Sequence, residues 1–92
     1  MADELVVATV VAVDEHPGAR APSLLLTLDL GPHGTAEAVL SGGIHEAGAL
    51  QGTQLVCRRD VEGAVVVGAH SHGGGLVLLR PEREVEPGTI VG

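Results

Sequence analysis

The 92-residue chain contains no phenylalanine, tyrosine or tryptophan, and it contains no lysine. Without aromatic rings, the core must be built from many aliphatic contacts, and nucleic-acid bases have no side-chain ring on which to stack. Without lysine, a phosphate-binding loop of the Gly-x-x-x-x-Gly-Lys type is excluded. The single cysteine, Cys57, excludes an internal disulfide, and its apolar neighbours predict a buried thiol that acts as a small hydrophobic group.

Positive charge is also scarce. Twelve acidic residues face five arginines, which gives a formal net charge of −7. Long-range attraction to nucleic acid is therefore not expected, and a cationic partner or a neutral protein surface would meet less repulsion. The ordinary role of such a charge is to keep a small protein soluble. No segment resembles a signal peptide or a membrane span, so we expect a cytoplasmic protein that has no membrane partner.

What the chain does contain is Val, Leu and Ala in short runs, which favour strands around one core in a single domain, residues 1–92. The pattern predicts a strand over 5–13, a Pro- and Gly-containing loop over 14–22, and a hairpin of strands 23–30 and 35–40. A short helix over 44–50 follows, then strands 53–57 and 63–69 joined by a loop at 58–62, and a last short strand 76–79.

Five main strands with a helix between the third and fourth predict an all-β fold, a five-stranded OB-fold Greek-key barrel. An SH3-like barrel has a similar strand count, and periodicity alone does not separate the two. We expect a mostly interior position for eight aliphatic residues: Val10, Val13, Leu24, Leu26, Leu28, Leu55, Val65 and Val67.

Three segments carry a resemblance that periodicity cannot supply. They are residues 10–31 (VVAVDEHPGARAPSLLLTLDLG), residues 39–44 (VLSGGI) and residues 76–89 (LVLLRPEREVEPGT). In this order they resemble the tRNA-binding domain family, the OB-fold of the methionyl-tRNA synthetase C-terminal domain and of the endothelial monocyte-activating polypeptide. The Ala19-Arg20-Ala21-Pro22 form of the first loop is most similar to the CsaA-type chaperones.

This resemblance implies a non-catalytic binding module without a cofactor. One expectation is weak binding of tRNA or other structured RNA, with Arg20, Ser41, Arg58 and Arg59 as the nucleic-acid-binding residues. Two or three arginines can hold a phosphate, although Arg58 and Arg59 are equally consistent with a solvated loop. The alternative is a CsaA-like chaperone or protein-interaction module that binds unfolded or preprotein segments. The resemblance also implies a homodimer.

Catalytic and metal sites have little support in the sequence. The serines lack a Gly-x-Ser-x-Gly elbow, and Cys57 lies inside a strand pattern, so we expect no enzyme activity. His70 and His72 stand beside a glycine run and could offer two imidazoles to a metal. His16, His33 or His45 would have to converge with them, and a glycine-rich loop explains the tract equally well. We therefore predict no metal site.

Overall fold

The structure, a computed structural model, describes residues 4–15, 23–41, 47–61, 63–73 and 75–92; of Ser41 and Gly75 it describes the backbone alone. Its strands are β1 (Glu4–Glu15), β2 (Ser23–Asp29), β3 (Thr35–Ser41), β4 (Gln54–Asp60), β5 (Gly63–Val66), β6 (Gly68–Ser71) and β7 (Gly75–Leu78). A 3-10 turn, Gly31–His33, joins β2 to β3, and a short helix, α1 (Ala47–Leu50), lies between β3 and β4. Among these residues no helix is long and apolar enough to cross a membrane.

Five strands form one antiparallel sheet in the order β3-β2-β1-β4-β5, and β3 comes back into contact with β5, so the sheet is a nearly closed barrel. β6 and β7 form a separate hairpin. The all-β OB-fold prediction is confirmed: β1 pairs with both β2 and β4, and α1 follows β3. The predicted helix start at residue 44 lies outside the described residues.

β1 is central to the barrel because it serves two partners in turn. Its first half, from Glu4 to Thr9, pairs with β4, and its second half, from Thr9 to Glu15, pairs with β2. The register shifts between Val10 and Ala12, and an irregularity of this kind bends a strand and increases its twist. This bend lets one valine-rich strand belong to both sides of a small barrel.

The core is aliphatic, as the composition requires. Of the eight residues predicted to be interior, Val10, Leu26, Leu28 and Leu55 are fully buried, and Val13 and Leu24 pack against the core while partly buried. The prediction for Val65 is wrong: this side chain is 48% exposed, and Ala64 and Val66 pack against the core instead. Val67 is partly buried. In a run of consecutive aliphatic residues the sequence does not mark which alternate set faces inward.

The predicted loop at residues 58–62 is also wrong. β4 continues to Asp60 because Arg58 and Arg59 pair with Leu5 and Glu4 of β1, so both arginines lie in a strand. The reversal into β5 is short, and the carboxylate of Asp60 accepts a hydrogen bond of 3.0 Å from the backbone N–H of Gly63. The predicted strand over 63–69 is divided at Val67 into β5 and β6.

The C-terminal segment, residues 80–92, is called the tail below. It pairs with the first half of β1, along the edge that β2 does not reach. The N–H of Val7 donates to the carbonyl of Thr89 (2.9 Å), and the N–H groups of Gly88 and Val91 donate to the carbonyls of Val7 (2.7 Å) and Leu5 (2.8 Å). An isolated bridge joins Val6 to Ile90. The tail therefore supplies strand-like pairing to the start of β1.

Candidate binding surface

Outward-facing residues at the start of β1 form a partly apolar surface. Register places Leu5 beside Arg58, and Arg58 beside Val65, across three neighbouring strands. Cross-strand partners share one face of a sheet. Val91 of the tail is joined to Leu5 through its backbone N–H. The three aliphatic side chains are 39% (Leu5), 48% (Val65) and 37% (Val91) exposed, and Arg58 is exposed. We call these four residues the outer patch.

Arg58 and Arg59 do not point to the same side of the sheet, because successive strand residues alternate between its faces. Arg59 shares its face with Cys57, which is fully buried, and its guanidinium forms an ion pair with the Glu4 carboxylate at the start of β1. Arg58 belongs to the outer patch. Two consecutive strand arginines in this arrangement cannot grip one phosphate together.

The other two predicted nucleic-acid-binding residues are placed less fully. The backbone of Ser41 pairs with Ser23 at the end of β3, while Arg58 and Arg59 pair with the start of β1. Arg20 lies outside the described residues. The assignment of Arg20, Ser41, Arg58 and Arg59 to one nucleic-acid site therefore stays a prediction.

Sequence reasoning missed Gln54, the buried polar residue that holds the tail. It lies opposite Thr9 on the outward side of β4, and its amide nitrogen donates to Thr9 Oγ1 (3.0 Å) and to the carbonyl of Val85 (2.7 Å). Its amide oxygen accepts from the N–H of Val85 (2.9 Å). The side chain thus pairs with the backbone of Val85 as a neighbouring strand would. No local sequence signal announces this pairing, because the partner is 31 residues away.

A groove of about 290 Å³ lies beside Gln54, and the tail supplies most of its lining. Arg80 and Arg83 line it together with Glu82 and Glu84, so its charge is mixed. Both arginines are exposed. They were not among the predicted site residues, and they add to the cations on the outer side of the barrel.

Groups that could support other chemistry are placed unfavourably. Burial raises the pKa of the Cys57 thiol from 9.0 to about 11, which disfavours the nucleophilic thiolate. His33, His70 and His72 are exposed, whereas His16 and His45 lie outside the described residues. In the described part of the chain, no three His, Cys, Asp or Glu side chains lie close enough to hold a metal ion.

Comparison with known proteins identifies solved structures only. No family model matches the chain, and no curated protein matches it. The crystal structure of chaperone CsaA from Bacillus anthracis str. Ames has 27% sequence identity and a TM-score of 0.83, with 98% of this chain and 91% of that chain covered.

Two further structures are similar in shape and more distant in sequence. The CsaA chaperone protein from Picrophilus torridus has 19% identity and a TM-score of 0.85, with 98% of this chain and 92% of that chain covered. The MetRS-related protein from Pyrococcus horikoshii has 15% identity and a TM-score of 0.83, with 98% and 90% covered. The resemblance carried by the sequence motifs is therefore confirmed: over nearly its whole length this chain has the fold of the CsaA chaperones and of the MetRS-related protein.

Proposed function

We propose that the protein is a non-catalytic binding module that holds extended, partly apolar polypeptide segments on its outer patch. The observation that carries this proposal is the row of half-exposed Leu5, Val65 and Val91 around Arg58. Aliphatic side chains grouped on the surface of a small protein are typical of protein-interaction sites. The two CsaA proteins of similar structure are described as chaperones, which agrees with this function.

Charge also favours a polypeptide ligand. The net charge of −7 repels nucleic acid, and Arg59 is engaged by Glu4. A polypeptide in extended form offers aliphatic side chains to the patch and carbonyl oxygens to Arg58. No step of this function needs a nucleophile, a metal or a cofactor.

The test is to measure how the protein suppresses aggregation of a chemically unfolded reporter enzyme. Val65 is 48% exposed, so Val65→Ser removes about half of a valine surface from the patch and leaves the core unchanged. We expect the binding free energy of the polypeptide to weaken by about 1 kcal/mol, which is roughly a fivefold loss of affinity. Val11→Ser is the matched control, because Val11 is 45% exposed on the half of β1 that pairs with β2. Equal activity of both variants and the wild type would remove the patch from the function.

A second candidate is weak binding of tRNA or other structured RNA. The observation that favours it is the exposure of Arg58, Arg80 and Arg83 on the described surface. Arginine-phosphate contacts supply affinity without base selection, and this chain has no ring for stacking. A mobility shift with total tRNA at low and moderate salt separates the two functions, because only phosphate binding falls steeply with salt.

We further propose that the protein forms a homodimer whose interface lies outside the outer patch. A small barrel without aromatic residues also leaves Val39 and Val77 about half exposed, and a second copy would cover such side chains. Sedimentation equilibrium should then show about twice the 9.3 kDa chain mass, and Val39→Asp together with Val77→Asp should shift the protein toward the monomer. A 9.3 kDa species at high concentration would refute the dimer.

A further inference from the structure

The edge of β1 at residues 5–7 is occupied by a segment that is held almost entirely through its backbone. Three backbone hydrogen bonds join it to Leu5 and Val7. Of residues 88–92 only Gly88 is buried; Ile90 is 52% exposed and Val91 is 37% exposed. Segments with few buried apolar contacts open locally at low free energy. The end of the tail is therefore the part of this edge that is most easily displaced.

We propose that the edge of β1 is a strand-acceptor site: residues 88–91 detach, and an extended segment of a client polypeptide takes their place by pairing with Leu5 and Val7. Strand addition of this kind uses main-chain hydrogen bonds for affinity and side-chain positions for selectivity. The inference rests on the proposed binding of polypeptides and specifies how the ligand is held. Residues 88–91 of the tail then compete with the client segment for the edge of β1.

The geometry of the resident segment defines which client segment fits. At Gly88 the backbone has φ +89°, and a Cβ there would overlap the carbonyl oxygen of Leu30. A glycine is therefore required at this position. The next three positions are tolerant because Thr89, Ile90 and Val91 are all exposed, and β-branched or aliphatic residues suit an extended strand there. The acceptor site selects a glycine followed by a short β-forming segment.

Gln54 controls how firmly the competitor is held. Its two hydrogen bonds to Val85 fix the tail just before the displaceable segment. A tethered segment competes at an effective concentration on the order of millimolar, which lowers the apparent affinity for a free peptide. Loosening the Gln54 contact should lower that competition without altering the edge of β1.

The direct test uses a fluorescent hexapeptide with the sequence of residues 87–92, PGTIVG, and a control peptide, PATIVG. The peptides omit Val85, so Gln54→Leu removes the two bonds to the resident tail and the bond to Thr9 but no contact that the peptides would make. We expect PGTIVG to bind Gln54→Leu about tenfold more tightly than it binds the wild type. PATIVG should bind each protein at least tenfold more weakly than PGTIVG. Circular dichroism confirms that the variant is folded, and equal binding of the two peptides would overturn the acceptor site.

A second experiment separates this inference from the proposed function. Val7 and Thr89 are backbone-paired and lie outside the outer patch, and the spacing of such pairs suits a disulfide, so the double variant Val7→Cys, Thr89→Cys can lock the tail. Native Cys57 is fully buried and does not compete. Reduced and oxidised forms have the same composition, so they form a matched pair. We expect the reduced form to suppress aggregation of the unfolded reporter and the oxidised form to lose at least fivefold.

If the oxidised form holds the reporter as well as the reduced form, strand exchange is wrong and the outer patch alone explains binding. If neither form nor the wild-type protein holds the reporter, the proposed function fails, and the exchange fails with it.

Discussion

Gly31 packs against the backbone of Pro87, and Gly88 packs against the backbone of Leu30, and neither glycine has room for a side chain. A Cβ on Gly31 would overlap the carbonyl of Pro87, and a Cβ on Gly88 would overlap the carbonyl of Leu30. Both residues also have positive φ, +62° and +89°. The backbone that follows β2, at Leu30 and Gly31, thus packs closely against the backbone of Pro87 and Gly88 in the tail. These two glycines belong to the first and last of the segments that carry the sequence resemblance.

We predict that Gly88→Ala destabilises the protein by about 2–4 kcal/mol, because strain at positive φ adds to the overlap with Leu30. Gly73→Ala is the control: Gly73 has φ +74° and open space where a Cβ would lie, so only the cost of its positive φ, about 1 kcal/mol, applies. Urea unfolding monitored by circular dichroism measures both. If both substitutions lowered the free energy of unfolding equally, the overlap with Leu30 would cost nothing, because the tail would have moved aside.

Because the thiol of Cys57 is buried, the free energy of unfolding should decrease at alkaline pH. Its pKa is 9.0 in an exposed reference and about 11 in the fold, so the unfolded chain loses the proton first as pH rises. This contribution to stability is complete below pH 9 and decreases between pH 9 and 11, by roughly 1–2 kcal/mol. Unfolding free energies across this window should show the decrease in the wild type. The same pH-dependent component should be absent in Cys57→Ala.

The different faces of Arg58 and Arg59 predict different effects of their substitution. If RNA binds, about three neutralised phosphates give a slope of log affinity against log salt near −2 to −3. Arg58→Ala should lower this slope and weaken binding to all sequences alike. Arg59→Ala should leave the slope unchanged and cost at most about 1 kcal/mol of stability through the lost Glu4 pair. The reverse pattern would place the phosphate contact on Arg59.

Metal removal should have no effect on the fold. His70 and His72 are exposed, and no cluster of three ligands occurs among the described residues. Thermal melting with and without a chelator should give the same midpoint, since bound metal would add its binding free energy to the folding free energy. A decrease of several degrees would reveal a metal site.

Much of the barrel was predictable because its strands depend on local patterns. The valine run of β1, the alternation in β2 and the Gly31-Pro32 reversal each indicate their own structure, and the thiol of Cys57 is buried as its neighbours suggest. The face of β5 was not predictable, because four consecutive aliphatic residues fit either alternation.

The candidate site was less predictable because its features depend on long-range pairing. Arg58 and Arg59 look like loop residues until β4 is placed beside Glu4 and Leu5, which extends the strand to Asp60. Gln54 looks like an ordinary surface amide until the tail returns to Val85. In both cases the partner lies tens of residues away, so neither periodicity nor a short motif indicates it.

The pairing of Leu5 with Val91 also constrains how the molecule folds. The first strand receives its last hydrogen bonds from residues at the far end of the chain, and contacts between such distant residues form slowly because a large loop must close first. A barrel assembled through β5 would therefore carry an open edge on β1 for some time. An open edge of this kind can pair with another chain, so aggregation during refolding should decrease when the peptide PGTIVG is added as a temporary cover.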